Sequence, residues 1–315
     1  MLVALGSAAA FLLLAPFLSL RFGRLVDPAD WTRLSFASVV GGGVAAEIGL
    51  VLFALPTVLR AIGAHGLVNA CATMTGSLMP GGPLVGWSIA PLGVLVPVAF
   101  WLGVRRVRVA NQRVAECVSS VRPVQIAGYP VIVTQVDDAV ALTVGGSRPA
   151  IVVSSGMRDA LTADQFDAVV RHEAAHLANR HDVYLAVLCG VDLAFGLVPF
   201  IRRSTGAVRC GLERWADDEA ASFCPGGRPT VRAALLAVVF GPNPLGLAGF
   251  GAVETIAVRL FALQHPTDSS AARRRILVLG LSTVMLVATS TAAAGGASLW
   301  RVLVMPAFCE LTGQN

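Results

Sequence analysis

The sequence predicts a mainly α-helical membrane protein, with four transmembrane helices and a cytoplasmic α+β domain between the third and the fourth. Three observations carry that prediction. Hydrophobic residues make up 55% of the 315 and charged residues only 14%, and the mean hydropathy is +0.72, outside the range of soluble domains. Four apolar stretches, at 2–20, 38–59, 84–104 and 276–299, reach the roughly 20 residues needed to cross hydrocarbon. Arginines, which supply every basic charge and the formal net charge of +5, gather at alternating ends of those stretches.

The first stretch has no basic residue before it and no small-residue cleavage site after it, so it reads as an anchor rather than a removed leader. Arg21, Arg24 and Arg33 follow it; Arg105, Arg106, Arg108 and Arg113 follow the third; Arg273, Arg274 and Arg275 precede the fourth. By the positive-inside rule both termini and the loop 60–83 are external, and the segment 105–275 is cytoplasmic. The chain therefore divides into a membrane region 1–104 with three spans, a cytoplasmic domain 105–275, and a fourth span with a short external tail, 276–315. The basic balance is accounted for by loops beside an anionic leaflet, so no direct nucleic-acid binding is expected. Glu47, inside the second span, marks either function or a buried polar contact.

Within 105–275 the periodicity changes along the chain. Short β-branched runs at 131–136, 139–144 and 150–154, separated by Asp137-Asp138 and Gly145-Gly146, predict small antiparallel strands. Thr162 with Gln165 three residues later is a capping-box pattern, and Phe166, Val169, Val170 and Leu177 recur at helical spacing. A helix over 163–179 follows. The apolar run 183–201, containing Asp192, predicts a further helix that is buried or dips into the bilayer without crossing it. A single crossing would put the next segment on the far side, and two do not fit. "LERWADDEAASF" predicts another helix, ended by the breaker "CPGGRP".

Three of the five histidines fall within ten residues, in "RHEAAHLANRH". On a helix His172 and His176 lie one turn apart on one face, with Glu173 beside them, which is the H-E-x-x-H zinc pattern. Zinc takes imidazole nitrogens and needs a third protein ligand plus one open position for water, whose proton a neighbouring carboxylate can accept. His181 is the nearest further candidate, but no glycine turns the chain before it. Glu213 and Asp217, four apart on the next helix, are better placed: the first to bind metal, the second to accept a hydrogen bond from a liganding histidine.

The stretch from Pro149 to Ala221, with "HEAAH" and "ERWADDEAA" at this spacing, resembles the gluzincin metallopeptidases of bacterial membranes. These are the β-lactam sensor-transducer (antirepressor) family and the related HtpX and CAAX-protease group. The resemblance implies a zincin-like metallopeptidase domain and an integral-membrane zinc-dependent endopeptidase. His172, His176 and Glu213 would be ligands to Zn2+, Glu173 the general base and later proton donor, and Asp217 a support for a ligand. It implies a protein or peptide substrate at the cytoplasmic face of the cell membrane: a transcriptional repressor in a signalling pathway, or a damaged membrane protein in quality control. The non-enzymatic reading, a membrane sensor or scaffold keeping the fold, is disfavoured by the intact residue set. The likeness does not extend to the sensor domain of those receptors, so β-lactam sensing is not expected. "QHPTDSSAARRRI" resembles the ending of the HtpX group with altered spacing, so His265 and Arg273 carry no firm role.

Of the six cysteines, Cys117, Cys189, Cys210 and Cys224 are expected to be reduced, small buried residues of the cytoplasmic part. Cys71 and Cys309 fall on the external side by the arginine pattern, and a disulfide between them would tie the tail to the loop between spans two and three.

Overall fold

Asp27 opens the first described helix: its carboxylate accepts from the backbone N–H groups of Ala29 and Asp30 at 2.9 and 3.3 Å, with Pro28 in the first helical position. The computed structural model describes residues 27–64, 82–145, 149–240 and 250–265. Helix α1, Pro28–Ala61, is 34 residues long and so rises about 51 Å, well beyond the predicted span within it. After it come α2, Gly82–Ile89, and α3, Leu92–Val118. Among the described residues two stretches, Pro28–Ala61 and Leu84–Val118, are long and apolar enough to cross a membrane. Val94, Leu95, Val98 and Trp101 stand exposed along α3, an arrangement that water disfavours and lipid does not. The first and fourth predicted spans, the triple arginine and the proposed Cys71–Cys309 pair lie outside the described residues.

A four-stranded sheet follows, with β1 Val124–Ile126, β2 Tyr129–Thr134, β3 Ala141–Val144 and β4 Ala150–Ser154 in the order β1-β2-β4-β3. Ala127 and Gly128, both at positive φ (54° and 84°), close a two-residue hairpin between β1 and β2. The expected all-antiparallel arrangement is corrected: β2 and β4 are parallel, and β3 pairs antiparallel with β4. The cause lies in burial. Ile151, Val152, Val153 and Ser154 of β4 are all buried, so this strand takes the centre. The Asp137-Asp138 segment does not form a hairpin turn. It is tied to the end of β4, where Ser154 Oγ accepts from Val140 N at 2.9 Å and donates to Asp138 O at 2.6 Å.

Helix α4, Ser155–Asp159, leads into α5, Ala163–Ala178, whose capping box of Thr162 and Gln165 is formed as the sequence predicts. Val131, Ile151 and Val153 from the sheet pack against Phe166, Val170 and Ala174 of α5, so the helix lies across one sheet face. Arg180, in the left-handed conformation at φ 53°, breaks the chain direction and starts α6, His181–Phe195. The predicted helix 183–201 is thus divided. Residues Gly196 to Val198 form a turn, and α7 runs from Pro199 to Phe223.

Helices α6 and α7 form a hairpin against the two long apolar helices. Tyr184 meets Phe36 of α1 with ring centroids 4.5 Å apart, and Val39, Leu188, Val191, Ile201 and Val208 share one buried cluster. Asp192 is paired across the hairpin with Arg209 at 2.7 Å and accepts a hydrogen bond from the Thr205 hydroxyl at 2.6 Å. At the tip Leu197 is 96% exposed. Close contact between α3 and α6 depends on two glycines: a Cβ on Gly103 would lie 2.6 Å from Cys189 O, and one on Gly190 would meet the Phe100 ring at 2.7 Å and Phe100 O at 2.9 Å. Because the obstacles at Gly103 are backbone atoms, Gly103→Val should cost about 1–3 kcal/mol or more through overpacking. Thermal unfolding in detergent should show the lowered midpoint; an unchanged midpoint would mean that α3 and α6 are not in this contact.

Helix α8, Gly227–Phe240, and α9, Phe250–Gln264, complete the described fold. They pack through Val231, Ala234, Leu235, Val239, Ile256 and Leu263 against Ala168 of α5 and Ala220 of α7. Of the cysteines expected to be buried, Cys210 and Cys224 are, whereas Cys117 is exposed and Cys189 half-buried; all four are unpaired. Glu47 is half-buried on α1, and its Oε2 has no hydrogen-bond partner among the described residues.

Candidate metal centre and cleft

The helical spacing of α5 places the Nε2 atoms of His172 and His176 3.1 Å apart. Glu213, from the middle of α7, brings Oε2 to 3.4 Å from His172 Nε2 and Oε1 to 3.6 Å from His176 Nε2. Three donor atoms thus converge, one from each residue, all within 4.8 Å of one another. Ligand atoms about 2.05 Å from a tetrahedral zinc are about 3.3 Å apart, so this spacing fits the ion. Two imidazoles and a carboxylate are also a donor set that zinc accepts.

The supports of the cluster come from four elements. Asp217, one turn beyond Glu213 and only 4% exposed in its side chain, sets Oδ1 3.0 Å from His172 Nδ1. Arg259 of α9 grips Asp217 with two hydrogen bonds of 2.8 and 2.7 Å and reaches Glu213 Oε2 at 2.9 Å. Thr143 of β3 donates to Glu173 Oε2 at 2.7 Å, and its hydroxyl is also 2.9 Å from Glu173 O. His181 is fully buried, with Nδ1 2.8 Å from His176 Nδ1. It is not one of the converging donors, so the sequence's alternative third ligand is not brought to the cluster, whereas Glu213 is. His265 stacks on Phe261 with ring centroids 4.3 Å apart and is exposed.

Arg259 and Thr143 were not singled out by the sequence. The only signal for Arg259 is a lone charge in the apolar run "TIAVRLFALQ", and Thr143 reads as an ordinary strand residue.

Burial and charge act against each other here. Burial opposes charge on Glu213 and Asp217, but the Arg259 guanidinium and His172 overcome it; the Glu213 pKa falls far below the usual carboxylate range and that of Asp217 falls to about 2. Burial likewise disfavours a charged His172, and the Asp217 and Glu213 carboxylates outweigh it, raising its pKa to about 10. Burial, reinforced by His172, lowers that of His176. Burial and then His176 push His181 down to about 3, so this ring is neutral.

Beside the cluster opens a cleft of about 520 Å³ whose walls are mostly apolar, among them Ala141, Val169, Leu235, Val238 and Ile256. His172, Glu173 and Glu213 stand at its polar side.

Residues 108–243 match the family described as peptidase family M48. Over that segment the chain is similar to the metallopeptidases of family M48. Three protease HtpX homologues are similar to it. That of Albidiferax ferrireducens is 26% identical over 200 residues, covering 61% of this chain and 67% of the relative. That of Bordetella pertussis is 29% identical over 169 residues, covering 50% and 56%. That of Chlorobium phaeobacteroides is 28% identical over 200 residues, covering 61% and 65%. The chain thus spans between about half and two thirds of the length of these curated relatives. No solved structure gives a significant match. M48 metallopeptidases are in general zinc-dependent, and the donor cluster lies within the matched M48 segment.

The metal-free site holds a proton on His172 up to a pH of about 10, so a metal ion that takes this imidazole as a ligand would have to displace that proton. At pH 8 calorimetry in buffers of different ionisation enthalpy should report about one proton released per zinc; none released would contradict the charge arrangement. The sign for the metal-free fold follows from the raised pKa. Its stabilising contribution is complete below pH 6.5 and disappears as the pH rises through about 10.

Proposed function

We propose that this chain is an integral-membrane zinc-dependent endopeptidase that cleaves protein substrates at the cytoplasmic face of the membrane. The observation that carries the reading is the convergence of His172, His176 and Glu213, with His172, Glu173 and Glu213 together lining a mostly apolar cleft. In this reading His172, His176 and Glu213 hold the metal, and Asp217 orients His172 under the grip of Arg259. Zinc bound there supplies Lewis acidity that polarises the scissile carbonyl and acidifies water. Glu173 takes the proton from the attacking water as the C–O bond forms and returns it to the amide nitrogen as the C–N bond breaks, so one water is consumed per cleavage. Thr143 holds Glu173 in place for both transfers.

The sheet order leaves the outer edge of β3 unpaired among the described residues, and Thr143 of that strand touches Glu173. An extended substrate segment adding to this edge would run past Glu173, with apolar side chains entering the cleft. The site also lies close to the long apolar helices: Arg33 of α1 covers the Trp215 ring at 4.5 Å, and Trp215 packs edge-on to His181. That nearness favours a membrane-anchored protein, as in quality control, over a soluble repressor.

A membrane-anchored reporter with an apolar sequence on the cytoplasmic side should be cut by the purified chain in vesicles. Cutting should stop on chelation and return when zinc is restored. Cleavage indifferent to chelator would overturn the reading.

A further inference from the structure

His181 is buried to the last atom, yet it is neither a converging donor nor part of an ion pair among the described residues. Its contact with His176 does not follow from helix geometry. Residues five apart on a continuous helix point about 140° away from each other. The contact exists because Arg180 adopts a left-handed conformation, at φ 53°, and turns the first residue of α6 back onto the last turn of α5. The returned ring is then fixed on its other sides: edge-on to Trp215 at 4.8 Å and to Tyr184 at 6.1 Å between centroids, with Trp215 itself covered by Arg33.

We propose that His181 is the positioning residue of His176: a neutral imidazole whose Nδ1 accepts the Nδ1–H of His176 and so leaves the His176 Nε2 lone pair free for the metal. The inference deepens the zinc reading above and rests on it. The assignment of protons follows in steps. His176 presents Nε2 to the donor cluster, so as a neutral ring it carries its proton on Nδ1. The atom 2.8 Å from that proton's nitrogen is His181 Nδ1, which must be the acceptor. The proton of His181 then sits on Nε2, a buried atom with no hydrogen-bond partner among the described residues. The two histidines of the cluster are therefore supported differently. His172 faces a carboxylate, Asp217, already bound by Arg259; His176 faces an uncharged ring, which fixes its tautomer and orientation without adding a second negative charge beside Glu213.

The test uses side chains that match the shape of histidine as far as the δ atoms. Asparagine places an acceptor oxygen where His181 has Nδ1, and leucine places a methyl group there. Zinc affinity of the full chain in detergent is measured by competition with a fluorescent chelator for the wild type, His181→Asn and His181→Leu, with thermal unfolding of each metal-free protein. His181→Leu should bind zinc about 10–100-fold more weakly, the usual effect of losing a ligand's outer partner, while His181→Asn stays near the wild type. Equal weakening of both variants, or wild-type affinity in His181→Leu, would overturn the proposal. Should His181→Leu not fold, weakened binding in a folded His181→Asn protein would still overturn it, and retained binding would support it. A wild-type chain that takes up no zinc would instead overturn the zinc reading itself.

Discussion

Glu173→Gln should retain a full equivalent of zinc and the wild-type unfolding midpoint while its turnover falls by about 10²–10⁴-fold. The loss is that of a general base, whose contribution has this size. Metal should stay because Glu173 is not among the three converging donors. The fold should stay because the glutamine oxygen can still accept from Thr143, which now holds Glu173 Oε2 at 2.7 Å. The amide cannot take a proton from water, so the defect belongs to kcat rather than to substrate binding. Zinc analysis, unfolding and steady-state kinetics on one preparation check all three parts. Turnover at the wild-type rate would show that another group accepts the proton.

Glu213→Ala should fail differently, by losing the metal. Structural zinc sites with four ligands bind with about 10–16 kcal/mol at neutral pH; an equal share for one ligand corresponds to an affinity loss on the order of 10²–10³-fold. The structure adds a reason for a secondary cost. Arg259 reaches Glu213 Oε2 at 2.9 Å as well as Asp217, and removal of Glu213 leaves a buried guanidinium with less negative charge to face. Metal analysis after dialysis should find the variant largely zinc-free, and its unfolding midpoint should be lower than that of chelated wild-type protein. A full equivalent of zinc in Glu213→Ala would require another oxygen or nitrogen donor.

Much of this site is readable along one dimension because its parts obey local rules. Thr162 and Gln165 cap α5, the four-residue interval sets His172 over His176, and the same interval on α7 relates Glu213 to Asp217. What the sequence hides depends on contacts between distant segments. Arg259 reaches Asp217 across 42 positions and Thr143 reaches Glu173 across 30, and no periodicity marks either. His181 is a candidate ligand in the sequence because its spacing from His172 is visible, whereas the left-handed Arg180 that turns it onto His176 is not encoded by a glycine. The parallel pairing of β2 with β4 is hidden for a related reason. Alternation and turn residues describe single strands, while strand order is set by which strand buries both faces, here β4. The long apolar run after the histidines looked continuous because Gly196, Leu197 and Val198 are apolar too, although they form the turn of a hairpin.

In the proposed site one zinc ion is held by two histidines and one glutamate, with no sulfur. Zinc-edge X-ray absorption of the Glu173→Gln protein, which should keep its metal without consuming substrate, reads that ligand set directly. The spectrum should show nearest neighbours of nitrogen and oxygen at about 2.0–2.1 Å, with the outer scattering of two imidazole rings. A sulfur scatterer at about 2.3 Å, from any of the cysteines, or the outer scattering of three imidazoles in place of two, would contradict it.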